Sequence, residues 1–71
     1  MKKFSKKLMM ARLEKENRLS QVTSEAEAIM DDLDGQEAIT SNWRRQVYGE
    51  PVYWVVGKSG AGQYVAEADC E

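Results

Sequence analysis

The chain has 71 residues, a net charge of −2, one cysteine and no histidine. A single cysteine excludes an intramolecular disulfide, and the lack of histidine removes the commonest general base and metal ligand. A domain this small buries only about 60% of the surface that its unfolded chain exposes. Self-association is therefore the remaining source of extra stability, and a homo-oligomer is one expectation.

Neither a membrane span nor a secretory signal is predicted. The longest apolar runs, Leu8–Ala11 and Val52–Val56, fall far short of the roughly 20 residues needed to cross a bilayer. The basic start is followed by charged residues where a signal peptide has its apolar core. We therefore expect a cytoplasmic protein without membrane contact.

Charge is divided unevenly along the sequence. Residues 1–18 carry seven basic residues and two acidic ones, a net charge of +5. Residues 19–71 carry three basic residues and ten acidic ones, a net charge of −7. Such asymmetry indicates a charged interaction surface, although the same charges also serve solubility.

Residues 4–33 are predicted to be helical, because they are rich in Ala, Leu, Met, Glu and Lys and contain no Gly or Pro. Apolar residues at spacings of 3 and 4 predict one core-facing stripe, formed by Leu19, Val22, Ala26, Ile29 and Leu33. Upstream, Arg12 and Lys15 interrupt this register. We expect one bent helix or two, at about 4–19 and 25–33.

The ends of the second helix carry local signals. Ser24 and Glu27 have the spacing of a capping box, with Ser24 as the N-cap. Gly35 suits the left-handed position that follows a helix.

Residues 38–67 are predicted to be rich in β-structure. Segment 38–48 fits a strand or a helix, and its β-branched and aromatic content favours a strand slightly. Val52–Val56 is the clearest strand, and residues 63–67 form a second alternating run. Between them, GKSGAG at 57–62 ends like a phosphate-binding loop but lacks its first glycine, because position 52 is Val52. We predict a hairpin loop.

These elements predict a single small α+β domain over 1–71. One bent helix or two packs on a three-stranded antiparallel β-meander, and residues 68–71 form a short acidic tail that we expect to fray. If Trp54 faces the helices, Tyr53 and Val55 face the opposite side of the sheet.

The sequence contains few of the residue types that usually carry catalysis. Without His, no Ser-His or Cys-His pair can form. Cys70 lies between Asp69 and Glu71, whose charges raise a thiol pKa and make the thiol a poor nucleophile. The carboxylates do not match the spacing of a calcium loop. We expect no enzyme activity, no metal site and no cofactor.

Two sets of residues are candidates for binding a protein partner. The first is an acidic patch without any Lys or Arg among its members, formed by Glu25, Glu27, Asp31, Asp32, Asp34 and Glu37. Such a row of carboxylates can occupy a basic groove on another protein. The second set combines residue types common at binding hot spots: Trp43, Arg44, Arg45 and Tyr53.

The basic N-terminal helix offers an alternative surface. Lys3, Lys7, Lys15 and Arg18 share one face of a helical wheel and could neutralise phosphates of a nucleic acid. The acidic remainder of the chain repels the same polyanion, which weakens this alternative.

The hypothesis from sequence is a small non-enzymatic protein-binding module, an inhibitor or adaptor that occupies the basic surface of a nucleic-acid-handling complex. The alternative is a nucleic-acid-binding accessory protein that uses the basic helix. In size, acidity and lack of catalytic residues the chain resembles the small proteins that bacteriophages and mobile elements encode against host machinery, anti-CRISPR proteins among them. This resemblance is one of general character and involves no matching residues.

Overall fold

The computed structural model describes residues 1–40 and 52–71. Within these ranges two α-helices precede three strands: α1 (Lys6–Lys15), α2 (Ser24–Leu33), β1 (Ala38–Thr40), β2 (Val52–Val56) and β3 (Gly62–Ala66). The strands form an antiparallel sheet in the order β1-β2-β3, and the helices pack against it. The predicted α+β fold is confirmed. Of the ambiguous segment, residues 38–40 are strand, and residues 41–48 lie outside the described residues.

Helix α1 is shorter than predicted at both ends. Ser5 is its N-cap, and the Ser5 hydroxyl oxygen accepts a hydrogen bond from the Leu8 amide at 3.2 Å. At the other end Asn17 adopts a left-handed φ of 58°. The Asn17 amide donates to the Glu14 carbonyl, and the Arg18 amide to the Leu13 carbonyl. This pair of bonds is a Schellman motif, which ends the helix before residue 19.

Helix α2 begins one residue earlier than predicted. Thr23, rather than Ser24, is the N-cap, and its hydroxyl oxygen accepts a hydrogen bond from the Ala26 amide at 3.1 Å. With Thr23 as the N-cap, Ala26 rather than Glu27 occupies the third helical position that a capping box requires, and the Glu27 carboxylate pairs with Lys6. The predicted role of Gly35 is confirmed by its φ of 80° just after the helix.

The segment Lys2–Ser5 is extended and is hydrogen-bonded on both sides. On one side the Phe4 amide donates to the Gln36 carbonyl, and the Ala38 amide donates to the Lys2 carbonyl. On the other side Lys3 and Glu71 exchange two backbone hydrogen bonds of 2.8 and 2.9 Å, and the Ser5 amide donates to the Asp69 carbonyl. The segment therefore joins the β-rich part of the chain to its last residues.

The expectation of a fraying tail at 68–71 is wrong. Residues Glu67–Asp69 form a 3-10 turn, and both Asp69 and Cys70 are buried. Two causes hold this segment: its backbone pairs with residues 3–5, and α1 packs against the turn. Acidic composition suggested solvation, but the carboxylate of Asp69 has a partner on α1.

The two faces of the sheet are the reverse of the arrangement considered for Trp54. Val55 on β2 is fully buried among the core residues. Tyr53 on the same strand and Val65 on β3 pack against that core. Trp54 therefore lies on the opposite face, because successive strand residues alternate. The rest of the core is formed by Phe4, Leu13, Met30, Leu33, Ala38 and Cys70.

The core-facing stripe of α2 is rotated from the predicted one. Met30 and Leu33 are buried, whereas Ile29 is 49% exposed, and Leu19, in the preceding 3-10 turn, is 37% exposed. Val22, Ala26, Met30 and Leu33 also have helical spacing. Met30 rather than Ile29 enters the core.

Phe4 is expected to be essential for folding, because its side chain is 1% exposed at the centre of the core. Truncation of a buried Phe costs about 3–5 kcal/mol, a large part of the stability of a small domain. Urea unfolding should show a loss of this size for Phe4→Ala. The matched truncation Ile29→Ala, at an exposed position, should cost less than about 1 kcal/mol. Equal losses in the two variants would contradict the described core.

Candidate partner-binding surface

The acidic patch lies on α2, on the turn that follows it and, at Glu37, on the bridge residue just before β1, and one side of the patch faces α1. The Lys6 ammonium binds the Glu27 carboxylate at 3.0 Å and the Asp31 carboxylate at 2.7 Å. The bond to Asp31, and then the bond to Glu27, raise the pKa of Lys6 above its ordinary value. Two of the six predicted carboxylates therefore join the helices, although both stay exposed.

Two further carboxylates accept hydrogen bonds from backbone amides. Asp34 accepts a hydrogen bond of 2.9 Å from the Lys6 amide, at the start of α1. Asp32 accepts hydrogen bonds from the Ser59 amide at 2.8 Å and from the Ser59 hydroxyl at 2.7 Å. A carboxylate placed at a helix N-terminus or at free loop amides satisfies donors that have no other partner.

The glycine-rich loop is a hairpin connection between β2 and β3, as predicted. Its Gly57 lies against Asp32, and a Cβ at this position would overlap the Asp32 carboxylate. The loop therefore closes on α2 through a bound side chain and leaves no cradle for a phosphate. The sequence signal for this contact was the serine within GKSGAG.

Glu25 and Glu37 are the members of the patch without such a role. Both are exposed, and among residues 1–40 and 52–71 no ion pair involves either. Glu25 lies on the same side of α2 as Ile29, one turn away, whereas Glu27 and Asp31 lie toward α1. The predicted carboxylates thus extend from α2 to the residue before β1, and they divide into those that hold contacts of the fold and Glu25 and Glu37, which form no ion pair within the described residues.

The second predicted set is mostly outside the described residues, because Trp43, Arg44 and Arg45 fall in the segment 41–51. Tyr53 is half-buried against the core, and its hydroxyl donates a 3.0 Å hydrogen bond to Glu67. Tyr53 therefore has contacts within the fold, and its expected role in binding a partner stays a prediction.

The outer face of the sheet carries the row that sequence reasoning missed. Ile39, Trp54 and Tyr64 are paired in register across the three strands. The rings of Trp54 and Tyr64 are 4.8 Å apart at a tilt of 59°. Gly62 lies beneath the indole, where a Cβ would clash with it. The alternation of β2, read in the opposite phase, was the signal that could have found this row.

The basic residues of the alternative surface do not share one helix. Lys7 and Lys15 are exposed on α1, with exposed Ala11 between them. Lys3 belongs to the extended N-terminal segment, and Arg18 is the last residue of the Schellman motif and pairs with Glu16 at 3.3 Å. The predicted continuous face is therefore reduced to the pair on α1.

Arg12, which interrupts the predicted apolar stripe of the helix, binds the Asp69 carboxylate. The guanidinium donates two hydrogen bonds to this carboxylate, at 2.7 Å from Nε and 3.0 Å from Nη2. The Asp69 side chain is 3% exposed. Hydrogen bonding to Asp69 is the main cause that raises the pKa of Arg12 above its ordinary value. Such a paired geometry satisfies a buried charge.

A groove separates α2 from β3. It consists of two adjoining cavities of about 320 Å³ each, which share Ile29, Leu33 and Gln63 in their walls. One end of the groove reaches the Arg12–Asp69 pair, and the other reaches the Asp32–Ser59 contact. Its lining is mainly apolar and includes the exposed Ile29, so the groove can receive apolar side chains.

Comparison of the chain with protein-family models, with curated proteins and with solved structures gives no significant match. The fold therefore defines a small α+β domain, and function has to be argued from its surfaces. Among the described residues, no group of three or more His, Cys, Asp or Glu side chains could hold a metal ion. No helix in the described ranges is long and apolar enough to cross a membrane.

The Arg12–Asp69 pair is expected to stabilise the fold more than the neighbouring Arg12–Glu16 pair does. Asp69→Asn leaves a charged guanidinium beside a buried amide, at a cost of about 1–3 kcal/mol. Glu16→Gln removes the contact to the same arginine at a position that is 41% exposed, which costs about 0.5 kcal/mol or less. Chemical unfolding of both variants checks the ranking, and the reverse order would contradict the described contacts.

The contact between Asp32 and Ser59 predicts a pH dependence. The Ser59 hydroxyl, the Ser59 amide and the nearby charge of Lys58 lower the pKa of Asp32. A lowered pKa in the folded state means that the contact is fully formed above the ordinary aspartate pKa of about 3.9 and is lost as pH falls through the lower folded value. An NMR titration should therefore give Asp32 a pKa below the ordinary one.

Ser59→Ala should raise this pKa toward the ordinary value, because it removes the hydroxyl donor. Ser20→Ala, at an exposed serine elsewhere, is the matched control and should leave the pKa unchanged. An unchanged pKa in Ser59→Ala would show that the hydroxyl does not bind Asp32 in solution.

Proposed function

We propose that the chain is a small non-enzymatic protein-binding module that docks on a basic surface of another protein. The observation that carries this proposal is the excess of negative charge that remains on α2 and its following turn after internal pairing. The six carboxylates there have three nearby basic side chains among the described residues: Lys6, Lys58 and Lys3, the last of which lies opposite Glu37 in an antiparallel bridge. A net charge of this size steers association with a basic partner.

Within the acidic patch, the geometry favours Glu25 and Glu37 as the residues that contact the partner. Glu25 and Glu37 are exposed and unpaired in the described part of the chain, so partner binding does not compete with a contact of the fold. Glu25 also lies one helical turn from the exposed Ile29. An apolar anchor beside unpaired charge is the usual composition of a binding site. Proteins that handle nucleic acids present basic grooves, and an inhibitor or adaptor of such a complex is the partner class that we favour.

The resemblance in general character to small phage and mobile-element proteins, anti-CRISPR proteins among them, is in keeping with this proposal. Size, acidity and the lack of recognisable catalytic residues in the sequence are its basis. The second candidate function is nucleic-acid binding through α1. Exposed Lys7 and Lys15 on one helix face favour it, and the acidic α2 opposes it.

The test is an affinity pull-down from a bacterial lysate at moderate salt, with and without nuclease, using three forms of the chain. The wild type should retain a stoichiometric protein after nuclease treatment. The double variant Glu25→Lys/Glu37→Lys reverses two unpaired charges and should weaken retention at least about tenfold. The matched control, Lys7→Glu/Lys15→Glu, reverses two exposed basic charges on α1 and should retain the partner.

The opposite pattern would favour the second candidate. Retention that requires intact nucleic acid, and that is lost in Lys7→Glu/Lys15→Glu with a steep dependence on salt, would overturn the protein-binding proposal. Reversal at Glu27, Asp31 or Asp32 is not a clean test, because these carboxylates hold Lys6 and Ser59.

A further inference from the structure

The groove between α2 and β3 has the size of a site for a small organic molecule. Its first cavity reaches Ala26 and its second reaches Asp32, and both have Ile29 and Leu33 in their walls. At a rise of about 1.5 Å per residue, the helical wall from Ala26 to Leu33 is roughly 10 Å long. Each cavity, of about 320 Å³, falls in the range of clefts that bind small ligands.

The first cavity is suited to an uncharged, apolar group. Phe4, which is buried at the centre of the core, lines it together with Met30 and Val65. The two charged residues at its border, Arg12 and Asp69, bind each other at 2.7 Å. Because their charges are matched, this end of the groove selects neither a cation nor an anion.

The second cavity carries an ionised carboxylate. Asp32 is the charged residue among the described residues that line it. Hydrogen bonding from Ser59, and then the charge of Lys58, lower the pKa of Asp32, so the carboxylate stays ionised at neutral pH. Both Ser59 donors are neutral, and no ion pair within residues 1–40 and 52–71 includes Asp32. The charge at this end therefore has no cation in direct contact.

The Asp32 carboxylate also has room for a further donor. The Ser59 amide occupies one lone pair of Oδ1, and the Ser59 hydroxyl occupies one of Oδ2. A carboxylate offers about four acceptor sites, so each oxygen keeps one. The Lys58 ammonium does not take them, because it bonds to the Asp31 carbonyl at 3.5 Å.

We propose that the groove binds a small organic amine, with its ammonium group at Asp32 and its apolar tail in the first cavity. Charge complementarity selects this occupant, since one end of the groove is negative and the other is neutral and apolar. The tail also covers Ile29, which is 49% exposed. The inference goes beyond the proposed function, because neither Glu25 nor Glu37 lines the two cavities.

The first experiment is an NMR titration of the full chain with n-octylamine at neutral pH. The signals of Ile29, Leu33 and Ala61 in the groove walls should shift and saturate, and those of Ile39 on the outer face of the sheet should stay. Octanoate, with a similar chain and the opposite charge, should not bind. Octanol should bind about tenfold more weakly, because it lacks the charge. Equal binding of octanoate, or no saturable shift with octylamine, would overturn the proposal.

A matched pair of charge variants tests the role of Asp32. Asp32→Asn removes the charge and keeps an oxygen that can accept a bond from Ser59, so it should abolish the preference for octylamine over octanol. This preference is a ratio of two affinities and does not depend on the stability of the variant. Glu25→Gln neutralises an exposed carboxylate of the same helix outside the cavities and should leave the ratio unchanged. A preference that survives in Asp32→Asn would contradict the proposed contact.

Two isoleucine variants test the site while leaving Asp32 in place. Ile29→Gln changes the wall that both cavities share and should weaken octylamine binding about tenfold. Ile39→Gln changes an isoleucine that is 55% exposed on the outer face of the sheet and should leave the affinity within about twofold. Equal affinities in the two variants would place the amine outside the groove.

Other occupants of the groove would give different results. A dimer in analytical ultracentrifugation, with the signals of Ile29 and Ala61 dependent on protein concentration when no amine is present, would mean that a second copy occupies the groove. Saturation of these signals by a short apolar peptide that contains lysine, with no effect of octylamine, would mean that the occupant is a segment of a protein. Either result would overturn the proposal of a small amine.

Discussion

The backbone pairing of residues 2–5 is the constraint on which the rest of the structure depends. These four residues bond to the turn after α2 on one side and to the last three residues on the other. Phe4 is thereby fixed at the centre of the core, and Ser5 is fixed where it caps α1. A small domain has no second core to compensate for losing this segment. Packing of α1, closure of the chain and the position of Asp69 all follow from it.

The acidic patch divides its carboxylates between folding and surface charge. Lys6 donates hydrogen bonds to three of them, from its ammonium and its amide, and Ser59 donates to a fourth. The same residues that give α2 its negative surface therefore also attach it to α1 and to the hairpin loop. This explains why acids occur near the C-terminal end of a helix, where the macrodipole disfavours them. Local contacts with donors outweigh the dipole.

Elements with a strong local signal were predictable from the sequence. Val52–Val56, the glycine-rich connection and Gly35 have side-chain and φ requirements that few alternatives satisfy. Long-range pairing was not predictable. Whether Ile29 or Met30 enters the core depends on where α1 lies, and the role of Arg12 depends on a residue 57 positions away. The tail was misassigned for the same reason, since its partners are the first residues of the chain.

The end of α1 at Asn17 was also missed from the sequence. Asn17 ends α1 in the left-handed region, a position that Asn tolerates better than most residues. The charged, helix-favouring residues around it gave no apolar register that would have marked the break. As for the candidate site, residue types indicated the acidic patch, but only the fold separates Glu25 from the neighbouring carboxylates that bind Lys6 and Ser59.

The burial of Cys70 makes the single thiol a reporter on the closure of the chain. Burial, and secondarily the charge of Asp69, raise the pKa of this thiol, and its Sγ lies 3.7 Å from the Ala66 carbonyl oxygen. A thiol-specific reagent can reach it only when the C-terminal segment leaves residues 3–5. Because labelling requires that opening, the labelling rate at neutral pH measures how often residues 3–5 and the C-terminal segment separate while the rest of the molecule stays folded.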